Sequence, residues 1–177
     1  ASVICSDKTG TLTRNEMTVQ RVLTASGQLD VTGVGYRPEG EVLHGTAPLT
    51  DPALLAEAQL VLGAGSLANN AQLVDRDGEW QIQGDPTEAA FLVAAAKLEG
   101  TTEHMARFDR LDEVPFTSER KMMSTLHRET TDGGLRIFSK GAPDVLLQRC
   151  AQVQVGESVV PLDEGLQQRL HDDITSL

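Results

Sequence analysis

At 177 residues, 40% of them hydrophobic, the chain is long enough to bury one sizeable core and too short for two complete domains. No run nears the roughly 18 apolar residues of a membrane-spanning helix, and no basic segment followed by an apolar one opens the sequence as a secretory signal would. A net charge of −11 without a basic stripe argues against nucleic acid as a partner.

Residues 1 to 5 read as a strand that ends in Asp7, with a turn through Lys8, Thr9 and Gly10 behind it. A rigid strand end presents a carboxylate well, and a carboxylate can attack phosphorus to give an aspartyl-phosphate. Lys8 can balance the phosphate charge, while Gly10 permits a tight turn whose N–H groups hold phosphate oxygens. Residues 19 to 24 read as a strand up to a Ser26-Gly27 turn, and Leu29 to Val34 as another. Asp51 and Pro52 cap and open a helix with Leu54, Leu55, Ala58, Val61 and Leu62 on its apolar face. Glu57 and Gln59 interrupt that apolar stretch. Ala71 to Val74 and Trp80 to Ile82 form a hairpin about residues 75 to 78.

The segment GDPTEAAFLVAAAKLEG, residues 84 to 100, predicts a helix capped by Asp85, begun by Pro86 and ended by Gly100. Glu88 stands three after the cap, as in a capping box. Arg110 to Pro115, Met122 to Arg128 and Leu135 to Lys140 read as strands, residues 142 to 150 as a short helix, and 153 to 160 as a last strand or pair. Residues 163 to 177 predict a helix. Strands linked by hairpins and flanked by helices point to an α+β domain with an antiparallel sheet.

Charge is unevenly spread. Residues 107 to 140 hold seven basic and six acidic side chains, against eight and 20 elsewhere, so a phosphate-bearing ligand is best tolerated there. Phosphate loops of the GxxxxGK[ST] kind are absent, so a nucleotide would need other chemistry. PFTSERKMMS, residues 115 to 124, offers it: Phe116 can stack on a base, Lys121 can reach a phosphate or ribose, and Met123 can line the base pocket. Stacking on an aromatic ring is worth about 1–3 kcal/mol per base. The plainer reading is an edge strand with one core Phe beside a solvated charged turn. In SKGAPDVLL, Lys140 ends a strand, Gly141 allows close backbone approach, and a helix follows, which suits an anion. Cys5 and Cys150 read as reduced thiols, and His44, His104, His127 and His171 lack ligand spacing.

The string CSDKTGTLTRNEMTV resembles the phosphorylation motif of P-type cation-pumping ATPases, in the branch of the calcium and sodium/potassium pumps. PFTSERKMMS, SKGAP, GDPTEAAF and the GYRPEG segment resemble that family in the same order. The resemblance implies Asp7, Lys8 and Thr9 as catalytic residues, and Asp7 and Thr9 as Mg²⁺ ligands. It implies Glu88, Phe116, Lys121, Met123, Lys140 and Gly141 as nucleotide-binding, with Glu88 accepting from the adenine amino group. Residues 1–18 would begin the phosphorylation domain, and 19–177 would be a nucleotide-binding domain incomplete at its C-terminal end. Ser118 departs from calcium pumps that carry Arg there, which removes one phosphate contact. Thr9 replaces the second Asp of related haloacid-dehalogenase-like phosphatases, which favours a long-lived phosphoenzyme over a plain phosphatase. The family's Gly-Asp-Gly-x-Asn-Asp metal motif does not occur in the sequence.

The expectation is therefore an ATP-binding piece of a membrane pump. It would be soluble, sit on the cytoplasmic side of the membrane without touching it, and join the pump's other phosphorylation, actuator and transmembrane segments. It would bind ATP without turning it over. A non-catalytic interaction domain and a phosphatase fragment are the alternatives.

Overall fold

The computed structural model describes residues 16–176, so Asp7, Lys8, Thr9 and Cys5 lie outside the described residues. The first sheet is a four-stranded antiparallel meander: β1 (Arg21–Leu23), β2 (Gln28–Val31), β3 (Val42–His44) and β4 (Ala47–Pro48). Helix α1 (Pro52–Leu67) follows, then the hairpin β5 (Gln72–Arg76) and β6 (Glu79–Gln83). Its turn is the two-residue Asp77-Gly78, both at positive φ (56° and 85°), which suits a two-residue hairpin.

Helices α2 (Pro86–Ala96) and α3 (Thr101–Met105) lead to a three-stranded antiparallel sheet of β7 (Phe108–Val114), β8 (Met122–Glu129) and β9 (Leu135–Gly141). Helix α4 (Pro143–Leu147), the hairpin β10 (Gln152–Val155) and β11 (Ser158–Pro161), and α5 (Glu164–Thr175) complete the described residues. The architecture is α+β with every strand pairing antiparallel, as the hairpin-rich sequence predicts, but the strands divide among four separate sheets.

Two helix starts follow from local chemistry. Asp51 accepts from Ala53 N at 2.9 Å and Leu54 N at 3.2 Å, and Pro52 takes the first position, where no N–H is needed. Asp85 does the same for α2, accepting from Thr87 N at 2.7 Å and Glu88 N at 3.3 Å ahead of Pro86. The predicted end of α2 is too late. The helix stops at Ala96, and Gly100 (φ 78°) starts α3, which the sequence pattern does not mark.

The core lies between the meander and the paired helices. Val22, Leu29, Val31 and Val42 meet Leu54, Ala58 and Leu62 of α1 and Ala94, Ala95 and Leu98 from α2 and its end. Fully burying a Leu such as Leu29 or Leu62 contributes about 1.5–3 kcal/mol. The three-stranded sheet packs its Met123, Thr125 and His127 face inward. Thr125 Oγ1 donates to the Leu67 carbonyl at 3.2 Å, which ties β8 to the end of α1. His127 is a core residue, at ring distance 5.3 Å from Phe138, and burial pushes its pKa down. Cys150, read from sequence as apolar-lined, is an exposed free thiol.

Glu57, an interruption in the sequence pattern, is buried, with only 3% of its surface exposed. Its carboxylate accepts from Ser26 N at 3.0 Å, from Ser26 Oγ and from Gly156 N, so one side chain of α1 joins the β1–β2 turn to the β10–β11 turn. Among the described residues no helix is long and apolar enough to cross a membrane.

Candidate functional site

A cleft of about 890 Å³ opens between α1, the start of α2 and the three-stranded sheet. Leu60, Val61, Ala64 and Gly65 of α1 form one wall. Asp85, Thr87, Glu88 and Phe91 enter from α2, Met123 from β8, and Ser139, Lys140 and Gly141 from the end of β9. Phe116, on the connection between β7 and β8, stands at the rim with 60% of its surface exposed. Val61, which its helical period assigns to the core, is 42% exposed on the cleft wall.

The cleft gathers Glu88, Phe116, Met123, Lys140 and Gly141 from segments 53 residues apart in sequence at their extremes. Lys121 is not among the lining residues. It sits at φ 53°, the left-handed region, with its N–H bonded to Thr117 O (2.8 Å) and its carbonyl to Ala142 N (2.9 Å). That backbone geometry leaves its side chain exposed at the turn. Arg120 braces the same turn: its guanidinium donates to Val114 O at 3.4 Å, Pro115 O at 3.3 Å and Ser124 Oγ at 3.1 Å, which fixes the segment that carries Phe116.

Lys140 supplies the charge. Its ammonium lies 2.9 Å from Glu88 Oε1 and 5.5 Å from the centre of the Phe91 ring. The nitrogen is sealed from water, and the Glu88 contact is close enough for an ion pair but out of line for a hydrogen bond. Three ammonium donors are therefore available to a ligand. A buried ion lacking hydrogen bonds is costly unless something completes its shell. Helix α4 is only five residues long rather than the nine expected, so Lys140, not a helix dipole, provides the attraction for an anion.

Glu88 departs from the capping-box expectation. Its Oε2 accepts from Asn70 N at 2.9 Å and its Oε1 faces Lys140, so neither oxygen turns back to the Asp85 N–H. A full positive charge and a well-aimed N–H from another segment outcompete the local donor. Burial pushes the Asp85 carboxyl up, but the Thr87 and Glu88 N–H groups, the Thr87 hydroxyl and the Lys140 charge together hold it below its usual value. Phe91 is the lining residue the sequence reading missed. Its signal was present: it lies three residues after Glu88, on the same helix face.

Gly141 sits where backbone meets backbone. A Cβ there would fall 2.5 Å from Met122 Cβ, 2.6 Å from Met122 Cα, and closer still to the Lys121 carbonyl. Gly141→Ala is expected to destabilise the chain by about 1–3 kcal/mol, the usual cost of overpacking. Thermal unfolding measures this, and an unchanged midpoint would mean that β8 yields without strain.

The comparisons agree with the sequence resemblance. Residues 57–177 match the family model described as P-type ATPase, cytoplasmic domain N. The cation-transporting ATPase pma1 of Synechocystis sp. is 41% identical over 172 residues, covering 93% of this chain and 19% of that protein. The probable cation-transporting ATPase F of Mycobacterium tuberculosis is 41% identical over 181 residues, 99% of this chain and 19% of its own length. A calcium-transporting ATPase of Bacillus subtilis is 41% identical over 154 residues, 86% of this chain and 17% of its own. The chain thus spans about a fifth of the length of these relatives. It belongs to the P-type ATPase cytoplasmic domain N family.

Proposed function

We propose that the cleft binds ATP and that, in a whole cation pump, this domain delivers the γ-phosphate to Asp7. The observation that carries the reading is the Lys140 ammonium, buried and short of hydrogen bonds beneath a largely apolar cleft with an exposed aromatic ring at its mouth. A flat base would rest on Phe116, with Met123 as the adaptable wall behind it. Gly141 lets the strand end come close to the ligand. Lys140 gives the electrostatic attraction a polyanion needs in a chain of net charge −11. Glu88 keeps a carboxylate oxygen at the same spot, which an exocyclic amino group can share with Lys140.

In the transfer itself, an Asp7 carboxylate oxygen would form a bond to the γ-phosphorus while the bond to the bridging oxygen breaks and ADP departs. Mg²⁺, when bound, would neutralise charge on the transferring group, with Asp7 and Thr9 as its holders. Both residues precede the described region, so the reading of residues 1–18 as the opening of a phosphorylation domain, and of 19–177 as the nucleotide domain, rests on the sequence motif. The pump's remaining domains would be its partners, and a cation its cargo, in keeping with the names of its relatives.

Titrating ATP into this chain by calorimetry, with NMR shifts followed at Lys140 and Gly141, tests the reading. Saturable binding with shifts confined to the cleft is the expected result. No heat and no shifts at millimolar ATP would defeat it. The chain contains no Gly-Asp-Gly-x-Asn-Asp string. It is therefore expected to bind without forming acid-stable phosphoprotein from γ-³²P-ATP, and label on Asp7 would overturn that half.

A further inference from the structure

We propose that Arg110 is a positioning residue for the cleft, acting through the Asn69–Asn70 turn on the Glu88 carboxylate. The proposal rests on the reading of the cleft as a nucleotide site. Arg110 is not one of the lining residues. It stands on β7 just before the register shift between Arg110 and Asp112, opposite His127. Its guanidinium grips two consecutive residues: one nitrogen donates to the Asn69 carbonyl at 2.6 Å, and the other to Asn70 Oδ1 at 2.7 Å. Glu113 pairs with the same fork.

The carbonyl of Asn69 and the N–H of Asn70 belong to one peptide unit. That unit is planar and trans, so fixing the direction of its C=O fixes the N–H on the opposite side. The Asn70 N–H is the group that donates to Glu88 Oε2 at 2.9 Å. Glu88 then presents its other oxygen to Lys140 at 2.9 Å. Arg110 therefore aims a peptide, the peptide aims a carboxylate, and the carboxylate places the ammonium that a ligand meets. The turn is held on its far side as well. The largely buried Asn69 side chain donates to the Glu88 carbonyl at 2.6 Å and accepts from Ala71 N at 2.7 Å. Only a two-pronged, planar donor can hold both Asn69 O and Asn70 Oδ1 at once, which is the geometry Arg has and Lys lacks.

The test is a double-mutant cycle in ATP affinity, measured by calorimetry on this chain with thermal melts alongside. Arg110→Gln is expected to weaken ATP about fivefold, within the range of mutations along a coupled network. Arg110→Lys should fall between, since one ammonium replaces a fork. In a Glu88→Ala background, Arg110→Gln should change affinity no further, because its effect travels through that carboxylate. A merely structural role would instead lower the melting midpoint and carry the same fivefold loss into both backgrounds, which would overturn the proposal. Unchanged affinity of Arg110→Gln, with wild-type binding intact, would also overturn it. Should Arg110→Gln fail to fold, Asn70→Ala removes one of the two gripped groups while keeping the N–H, and the same cycle is read from it. If the wild-type chain binds no ATP at all, the nucleotide reading falls first and the proposal with it; the wild-type titration separates the two failures.

Discussion

Phe116→Ala is expected to weaken ATP binding roughly five- to a hundredfold, the span that about 1–3 kcal/mol of base stacking corresponds to. Stability should hardly move. The ring is 60% exposed and belongs to a turn fixed by other groups, chiefly the Arg120 guanidinium and the Thr117 carbonyl. Exposed substitutions away from structural contacts usually stay within about 0.5 kcal/mol. The contrast between a large change in affinity and a small one in melting midpoint is what identifies a ligand-facing ring. Phe116→Trp should retain most of the affinity, because any flat aromatic face can stack, whereas Phe116→Leu keeps the apolar surface and loses the plane. Calorimetric titration of the three variants measures this. Equal affinity in Phe116→Ala and wild type would remove the ring from the site and leave Lys140 as an isolated buried charge.

The parts of this domain governed by neighbours in sequence were readable from the sequence. Asp51-Pro52 and Asp85-Pro86 open helices because the cap and the proline act within three residues of each other. Asp77-Gly78 makes its hairpin because both residues accept positive φ. What escaped depends on partners distant in the chain. Glu88 reads as a capping-box residue, but its carboxylate goes to Asn70 and Lys140, which only the fold brings near. Lys121 and Lys140 look equivalent as basic residues at motif ends, yet Lys121 occupies a left-handed turn outside the cleft while Lys140 ends a strand that runs into it. Arg110 carried no motif signal at all, since its task is to hold a turn 40 residues earlier. The family resemblance drew the cleft residues together correctly as a set, apart from Lys121, because such motifs record a shared pocket that local pattern cannot express.

The largest expected loss of stability belongs to Glu57. Replacing it by Gln should cost about 1–3 kcal/mol, the penalty for leaving a buried polar partner poorly satisfied. At this chain length each kcal/mol lowers the melting midpoint by about 2–4 °C. The carboxylate offers only acceptors, and its surroundings offer donors: Ser26 N, Ser26 Oγ and Gly156 N. A Gln side chain keeps one oxygen and turns an amide toward groups that are themselves donors. Burial pushes the Glu57 carboxyl up, but the Gly156 bond, the Ser26 hydroxyl and N–H and the Thr24 hydroxyl together hold it below its ordinary value of 4.5. The unfolded chain therefore takes up the proton more readily than the folded one. The contribution of Glu57 is complete above about pH 4.5 and disappears as pH falls through the lower folded value. Wild type and Glu57→Gln should thus differ most near neutral pH, and their melting curves should converge under acid. Because Gly156 sits in the β10–β11 turn and Ser26 in the β1–β2 turn, amide exchange should rise at both turns together in the variant. A gap between the two proteins that stays constant down to strongly acid pH would show that shape, and not the carboxylate charge, is what α1 contributes at this point.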